Sequence, residues 1–211
     1  MMDTAGRRCL KPLLVGCLGV LGGLAWLLET SIAAGAQAPP SFDGFEYRIL
    51  AANKTSTMER EMNEAAGAGF RFQGVMGGET AIGGKEVVTV MVKAKHAAPE
   101  APFQYRLLAT SKTSTMQKEI QQAGDAGFEY RGQTVFASTF GGKEVVVIME
   151  RDPSSARRDW DYRLFATSRT STMQKELVEA GDGGFEFVGI TVGETAIGGN
   201  ELVVITRRPK G

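Results

Sequence analysis

One unit of about fifty residues is written three times in this chain of 211 residues, so it must fold as a repeat array before it can be anything else. The copies open with FEYRILAANKTSTM at Phe45, FQYRLLATSKTSTM at Phe103 and WDYRLFATSRTSTM at Trp160. They close with IGGKEVVTVMV, FGGKEVVVIME and IGGNELVVITR. Phe45 and Phe103 are 58 positions apart, Phe103 and Trp160 are 57. The repeats are placed at 45–94, 103–152 and 160–209, with linkers at 95–102 and 153–159. Both linkers are rich in Pro and small or charged residues, as connectors are.

Within each copy the hydrophobic period changes twice. Phe45, Tyr47 and Ile49 alternate with Glu46, Arg48 and Leu50, the period of a strand. Ser56…Glu59, Ser114…Gln117 and Ser171…Gln174 have the spacing of a capping box, which predicts a helix entered at the serine. Met58, Met62 and Ala65, with Met116, Ile120, Ala123 and Met173, Leu177, Ala180, then fall on one helical face. Glycines at 67–69, 127 and 183–184 supply a left-handed stop. A second strand starts at Phe70, Phe128 or Phe185. After a glycine-rich loop comes a third, valine-rich strand, apolar on both faces as a central strand is.

The expectation is an α+β fold of three tandem β-α-β-β repeats, with sheets packed together and helices outward. A single unit buries too little apolar surface to stand alone. A pseudo-threefold arrangement is the simplest form of that packing.

The first 36 residues read as an export signal: Arg7, Arg8 and Lys11, then an apolar run from Leu13 to Leu28, then small residues around Ala34-Gly35-Ala36. The expected product is periplasmic or extracellular, with a leader at 37–44, and touches the membrane only through this signal during export. Both cysteines, Cys9 and Cys17, lie in it, so no disulfide is expected after cleavage. The chain has 24 basic and 24 acidic residues without a basic stripe, which argues against nucleic-acid binding.

Tyr162-Arg163-Leu164-Phe165, Leu177 and the run Glu179-Ala180-Gly181-Asp182-Gly183-Gly184-Phe185-Glu186-Phe187-Val188 resemble a small bacterial βαββ domain family of unknown function. Its members read aromatic-x-Tyr-Lys-Val-Val, then Leu-Asn-x-x-Gly-x-x-Gly-Trp-Glu-Leu-Val, then a final apolar strand. Phe128 and Phe185 stand where that pattern has Trp. The resemblance implies the fold of each copy and brings no catalytic residue with it.

Two recurring sets could bind a small anion. Lys54-Thr55-Ser56, Lys112-Thr113-Ser114 and Arg169-Thr170-Ser171 place a cation and hydroxyls before helix N–H groups. Capping alone also explains these residue types. Arg48, Arg106 and Arg163 could form a ring near a threefold axis, or pair across strands with Glu86, Glu144 and Glu201. The loop from Gly78 to Lys85 is not a phosphate loop, because its spacing is wrong and a strand follows it. His96 is the sole histidine, so a Ser-His-Asp triad and an ordinary zinc site lack their parts. No catalytic residue, metal or cofactor is assigned.

The sequence thus favours a non-catalytic binding or interaction module, whose partner is an unknown protein or a small anion and which could self-associate. The alternative is a small-molecule-binding or hydrolytic enzyme with its site at a repeat interface.

Overall fold

The computed structural model describes residues 44–80, 84–96, 100–137, 143–194 and 199–211. The expected signal, the leader up to residue 43, the middle of linker 95–102 and parts of the glycine-rich loops lie outside them. The first repeat is β1 (Phe45–Ala52), α1 (Thr55–Gly67), β2 (Arg71–Thr80) and β3 (Gly84–Ala94). The second is β4 (Gln104–Thr110), α2 (Thr113–Asp125), β5 (Glu129–Ala137) and β6 (Lys143–Arg151). The third is β7 (Trp160–Thr167), α3 (Thr170–Asp182), β8 (Glu186–Glu194) and β9 (Asn200–Pro209).

Each repeat forms its own sheet, ordered β1-β3-β2, β4-β6-β5 and β7-β9-β8. The valine-rich third strand is central and antiparallel to both neighbours. The fold is therefore α+β, three tandem β-α-β-β repeats whose sheets pack together. Helix α1 turns a polar face outward with Arg60 and Glu64.

The helices do not start as the capping boxes predict. Lys54, Lys112 and Arg169 occupy the N-cap position in extended conformation, and no side chain caps the first turn. Ser56 and its counterparts sit inside that turn, two residues too late to cap it. Glu59 and Gln117 bond to the backbone of the next repeat instead, and the exposed Gln174 completes no box either. The helix exits agree with the glycine pattern. Gly69, Gly127 and Gly184 have φ of +85, +78 and +77°, where a side chain would be strained. Phe70, Phe128 and Phe185 then donate their N–H back to Ala65, Ala123 and Ala180.

Two cores are built, and each spans a repeat boundary. Met58, Met62, Phe70, Phe72, Val87 and Met91 of repeat 1 pack with Tyr105, Phe136, Val146 and Ile148 of repeat 2. Met116, Ile120, Phe128, Val145, Val147 and Met149 of repeat 2 pack with Trp160, Tyr162, Val203 and Ile205 of repeat 3. Alternate residues of β6 thus enter different cores, which is why that strand is apolar on both faces. The helix side of one sheet always meets the opposite side of the next. This joint is made twice. It is not made a third time between repeats 3 and 1, so among the described residues the packing is an open series and not a closed pseudo-threefold ring.

Glycines record where the joints close. The second strand of every repeat bulges at the same place, before Gly74, Gly132 and Gly189. A Cβ on Gly132 would press on Phe72, and one on Gly189 would collide with the Tyr130 hydroxyl, both from the preceding repeat. Gly74 has no preceding repeat, and nothing lies within 4 Å. On the helices, a Cβ at Gly124 would come 2.7 Å from the Trp160 carbonyl oxygen and 2.8 Å from the Tyr162 ring, whereas Gly181 of α3 faces open space.

These pairs should respond oppositely to alanine. Gly124→Ala and Gly189→Ala are expected to destabilise by about 1–3 kcal/mol, the range for overpacking. Gly181→Ala should stabilise by up to about 1 kcal/mol through helix propensity, and Gly74→Ala should be nearly neutral. Chemical denaturation of the four variants measures this, and equal losses at all four would contradict the open series.

Candidate functional site

The joints rest on an unusual pairing of helix side chains with strand backbone. The first strand of each sheet is an edge, so its outer N–H and C=O groups need partners. On β4, Tyr105 N–H donates to Asn63 Oδ1 at 3.0 Å, while Asn63 Nδ2 donates to the Tyr105 carbonyl at 3.0 Å. Leu107 N–H donates to the Glu59 carboxylate at 2.8 Å. On β7, Gln121 accepts from Tyr162 N–H (2.9 Å) and donates to the Trp160 carbonyl (3.0 Å). Gln117 accepts from Leu164 N–H (2.7 Å) and donates to the Tyr162 carbonyl (2.9 Å). The helix of one repeat therefore serves as the missing neighbour strand of the next.

Beside each edge lies a buried tyrosine and an ion triad. The Tyr105 hydroxyl accepts from Phe72 N–H at 2.9 Å and donates to Glu150 at 2.8 Å. Glu150 is only 4% exposed, and Arg71 and Arg131 approach it at 2.8 and 2.9 Å. At the next joint the Tyr162 hydroxyl accepts from Tyr130 N–H at 2.8 Å. There the central charge is Arg207, held by Glu186 at 2.7 Å and Glu129 at 3.4 Å. Position 207 corresponds to 150, and 129 to 71, so the pair that crosses each joint has the same place and opposite sign, while the third members, Arg131 and Glu186, stand at different positions of the repeat.

The triads border a crevice of about 480 Å³ to which all three repeats contribute, through Arg71 and Phe72, Tyr130 and Arg131, and Val188 and Arg207. The trio of arginines that gathers across repeats is thus Arg71, Arg131 and Arg207. Sequence reasoning missed them because those positions do not recur as arginine. The recurring set is used differently. Arg48, Arg106 and Arg163 stack on Phe70, Phe128 and Phe185 of their own repeats at 4.4, 4.6 and 4.2 Å. Lys93, Arg151 and Arg208 lie over the same rings at 5.0, 4.9 and 4.5 Å. Each phenyl group is buried and clasped by two cations that keep contact with solvent, an attraction of roughly 0.5–2 kcal/mol per cation.

The helix entrances stay apart. Lys54-Thr55-Ser56, Lys112-Thr113-Ser114 and Arg169-Thr170-Ser171 each sit on their own helix, exposed or half-buried. Among the described residues no group of three or more His, Cys, Asp or Glu could hold a metal, and no helix is long and apolar enough to cross a membrane. Glu150 lies at a repeat interface, where the enzyme alternative would put its acid. Its carboxylate is already occupied by two guanidinium groups and a phenol.

The surfaces left over are the two ends of the series. Every large hydrophobic side chain that is exposed among the described residues belongs to one of them. The leading face is the back of the first sheet: Phe45, Tyr47 (62% exposed), Ile49 (73%) and Met76. The counterparts of Tyr47 are Tyr105 and Tyr162, each 3% exposed under the preceding helix. The trailing face is the helix side of repeat 3: Val178 (53%), Phe187, Ile190 and Val192. No protein-family model matches the chain, and neither the curated proteins nor the solved structures contain a match to it.

Two outcomes test this geometry. Glu150→Arg should destabilise by on the order of 2 kcal/mol, less than for a fully buried pair because Arg71 is half in solvent. Adding Arg71→Glu, the sign used at the other joint, should recover part of the loss in chemical denaturation. The second outcome is alkaline. Burial, the largest cause, pushes the Tyr105, Tyr130 and Tyr162 phenols up, and Tyr162 reaches about 12. The fold thus favours the neutral phenol. Its contribution is fully present below the unfolded value of about 10 and is lost as pH rises from there through about 12. Denaturation midpoints should fall over that window together with the rise of phenolate absorbance.

Proposed function

We propose that the chain is an exported, non-catalytic interaction module, periplasmic or extracellular once segment 1–36 is removed, and that its working surfaces are the two end faces of the repeat series. The observation that carries this reading is the confinement of exposed large apolar side chains to those faces. Contiguous exposed apolar surface marks interaction sites in soluble proteins. The polar interior points the same way. Its buried carboxylate is neutralised, and the crevice arginines are matched by Glu150, Glu129 and Glu186, which leaves little net charge for steering a substrate. The balanced composition supports a protein or small-molecule partner over nucleic acid.

A small anion at the helix entrances is the second reading, favoured by first turns that no side chain caps. Millimolar phosphate or sulfate should then raise the melting temperature, and Lys112→Ala and Arg169→Ala should each reduce the rise. An unmoved melting temperature removes this reading.

The main reading is tested by native mass spectrometry of the protein purified from its host. The expected result is retention of a protein-sized partner, reduced by Ile49→Lys or by Val178→Lys. Turnover of a defined substrate, abolished by a single carboxylate substitution, would overturn it.

A further inference from the structure

We infer that the trailing face of one copy docks on the leading face of a second copy, repeating between chains the joint that the chain makes twice within itself. This rests on the interaction-module reading and names its partner.

The two faces match at every part but one, Val178, which is apolar where Asn63 and Gln121 are amides. The Tyr105 and Tyr162 edges are each received by a helix of the preceding repeat through residues 59 and 63, then 117 and 121. The corresponding helix positions on α3 are Gln174, the same residue as Gln117, and Val178. Both are exposed. The corresponding strand edge is β1 at Tyr47 and Ile49. Gln174 can accept from Ile49 N–H and donate to the Tyr47 carbonyl as Gln117 does to Leu164 and Tyr162.

Two sockets complete the fit. Gly132 and Gly189 admit Phe72 and Tyr130 from the preceding repeat. Gly74 keeps the same socket open, and Phe187, the counterpart of Phe72 and Tyr130, stands exposed on the trailing face. Gly124 receives the Tyr162 ring, and Gly181 offers the same clearance to Tyr47. Charge does not oppose the contact. Val92 stands where Glu150 and Arg207 carry the triads, and Glu186 is already paired with Arg207 in its own repeat. Val178 against Tyr47 makes this joint more apolar than the inner two, as suits surfaces without a covalent linker. A contact between unlike faces does not close on itself after two copies, so it generates rings or open chains.

The test uses the full chain, expressed with its own N-terminal segment, with Cys9→Ser and Cys17→Ser to leave no native thiol. Tyr47→Cys and Val178→Cys are introduced separately and treated with a short bismaleimide. The expected result is a cross-linked dimer when the two variants are mixed and little when either is alone. Sedimentation should also show the apparent mass rising with concentration beyond the monomer, and Ile49→Glu or Val178→Glu should abolish the rise with melting temperature and circular dichroism unchanged. A mixed sample without cross-links, cross-linking of Tyr47→Cys with itself at equal yield, or an intramolecular link in the double variant would each overturn the inference. A chain that stays monomeric while native mass spectrometry retains a foreign protein on these faces sinks the inference and leaves the interaction reading standing.

Discussion

The free edge of each first strand is the constraint on which the rest of the molecule depends. A three-stranded sheet with its last strand in the middle has two edges, and the β1-type edge must be covered or left as a site for indiscriminate pairing. Here the cover is a helix of the preceding repeat, which offers amide and carboxylate side chains at the spacing of a neighbouring strand's backbone. Once that contact is made, the helix face, the bulged second strand and the next sheet are brought together, and both cores follow. Each repeat is thus finished by its neighbour.

The inverted triads bear on which neighbour is accepted. The trailing side of repeat 1 presents Arg71 and the receiving side of repeat 2 presents Glu150, whereas repeat 2 presents Glu129 to Arg207 of repeat 3. Joining repeat 1 directly to repeat 3 would set Arg71 against Arg207, and joining repeat 2 to another repeat 2 would set Glu129 against Glu150. Like charges in such half-buried positions are costly, so the signs disfavour those two wrong pairings.

Much of the fold was legible because its signals are local. Strand alternation at Phe45, Tyr47 and Ile49, the helical spacing of Met58, Met62 and Ala65, and the glycine exits all lie within a few residues of what they determine. The joints were not legible, for a physical reason. The edge-capping position holds Glu59, Gln117 and then Gln174, and the central position of the triads holds an uncharged Val92, then Glu150, then Arg207. The geometry is kept while the chemistry changes, so comparing copies hides the function of the position. Glu59 and Gln117 also mimicked a capping box, since an acceptor in the first turn suits either role. One signal was there to be used: Val178 is apolar where Asn63 and Gln121 are amides, and a departure at the last copy points to a surface that ends there.

The central place of the third strand also governs how such a chain can be made. Phe45 pairs with Ala94, and Trp160 with Pro209, so no sheet can form until the last strand of its repeat has been synthesised. The core around Met58 waits longer still, because Tyr105, Val146 and Ile148 come from the following repeat. Completion therefore trails the emerging chain by a whole repeat, and long-range pairing of this kind is slow. A polypeptide that stays open until late is well suited to being threaded through a narrow channel before it folds.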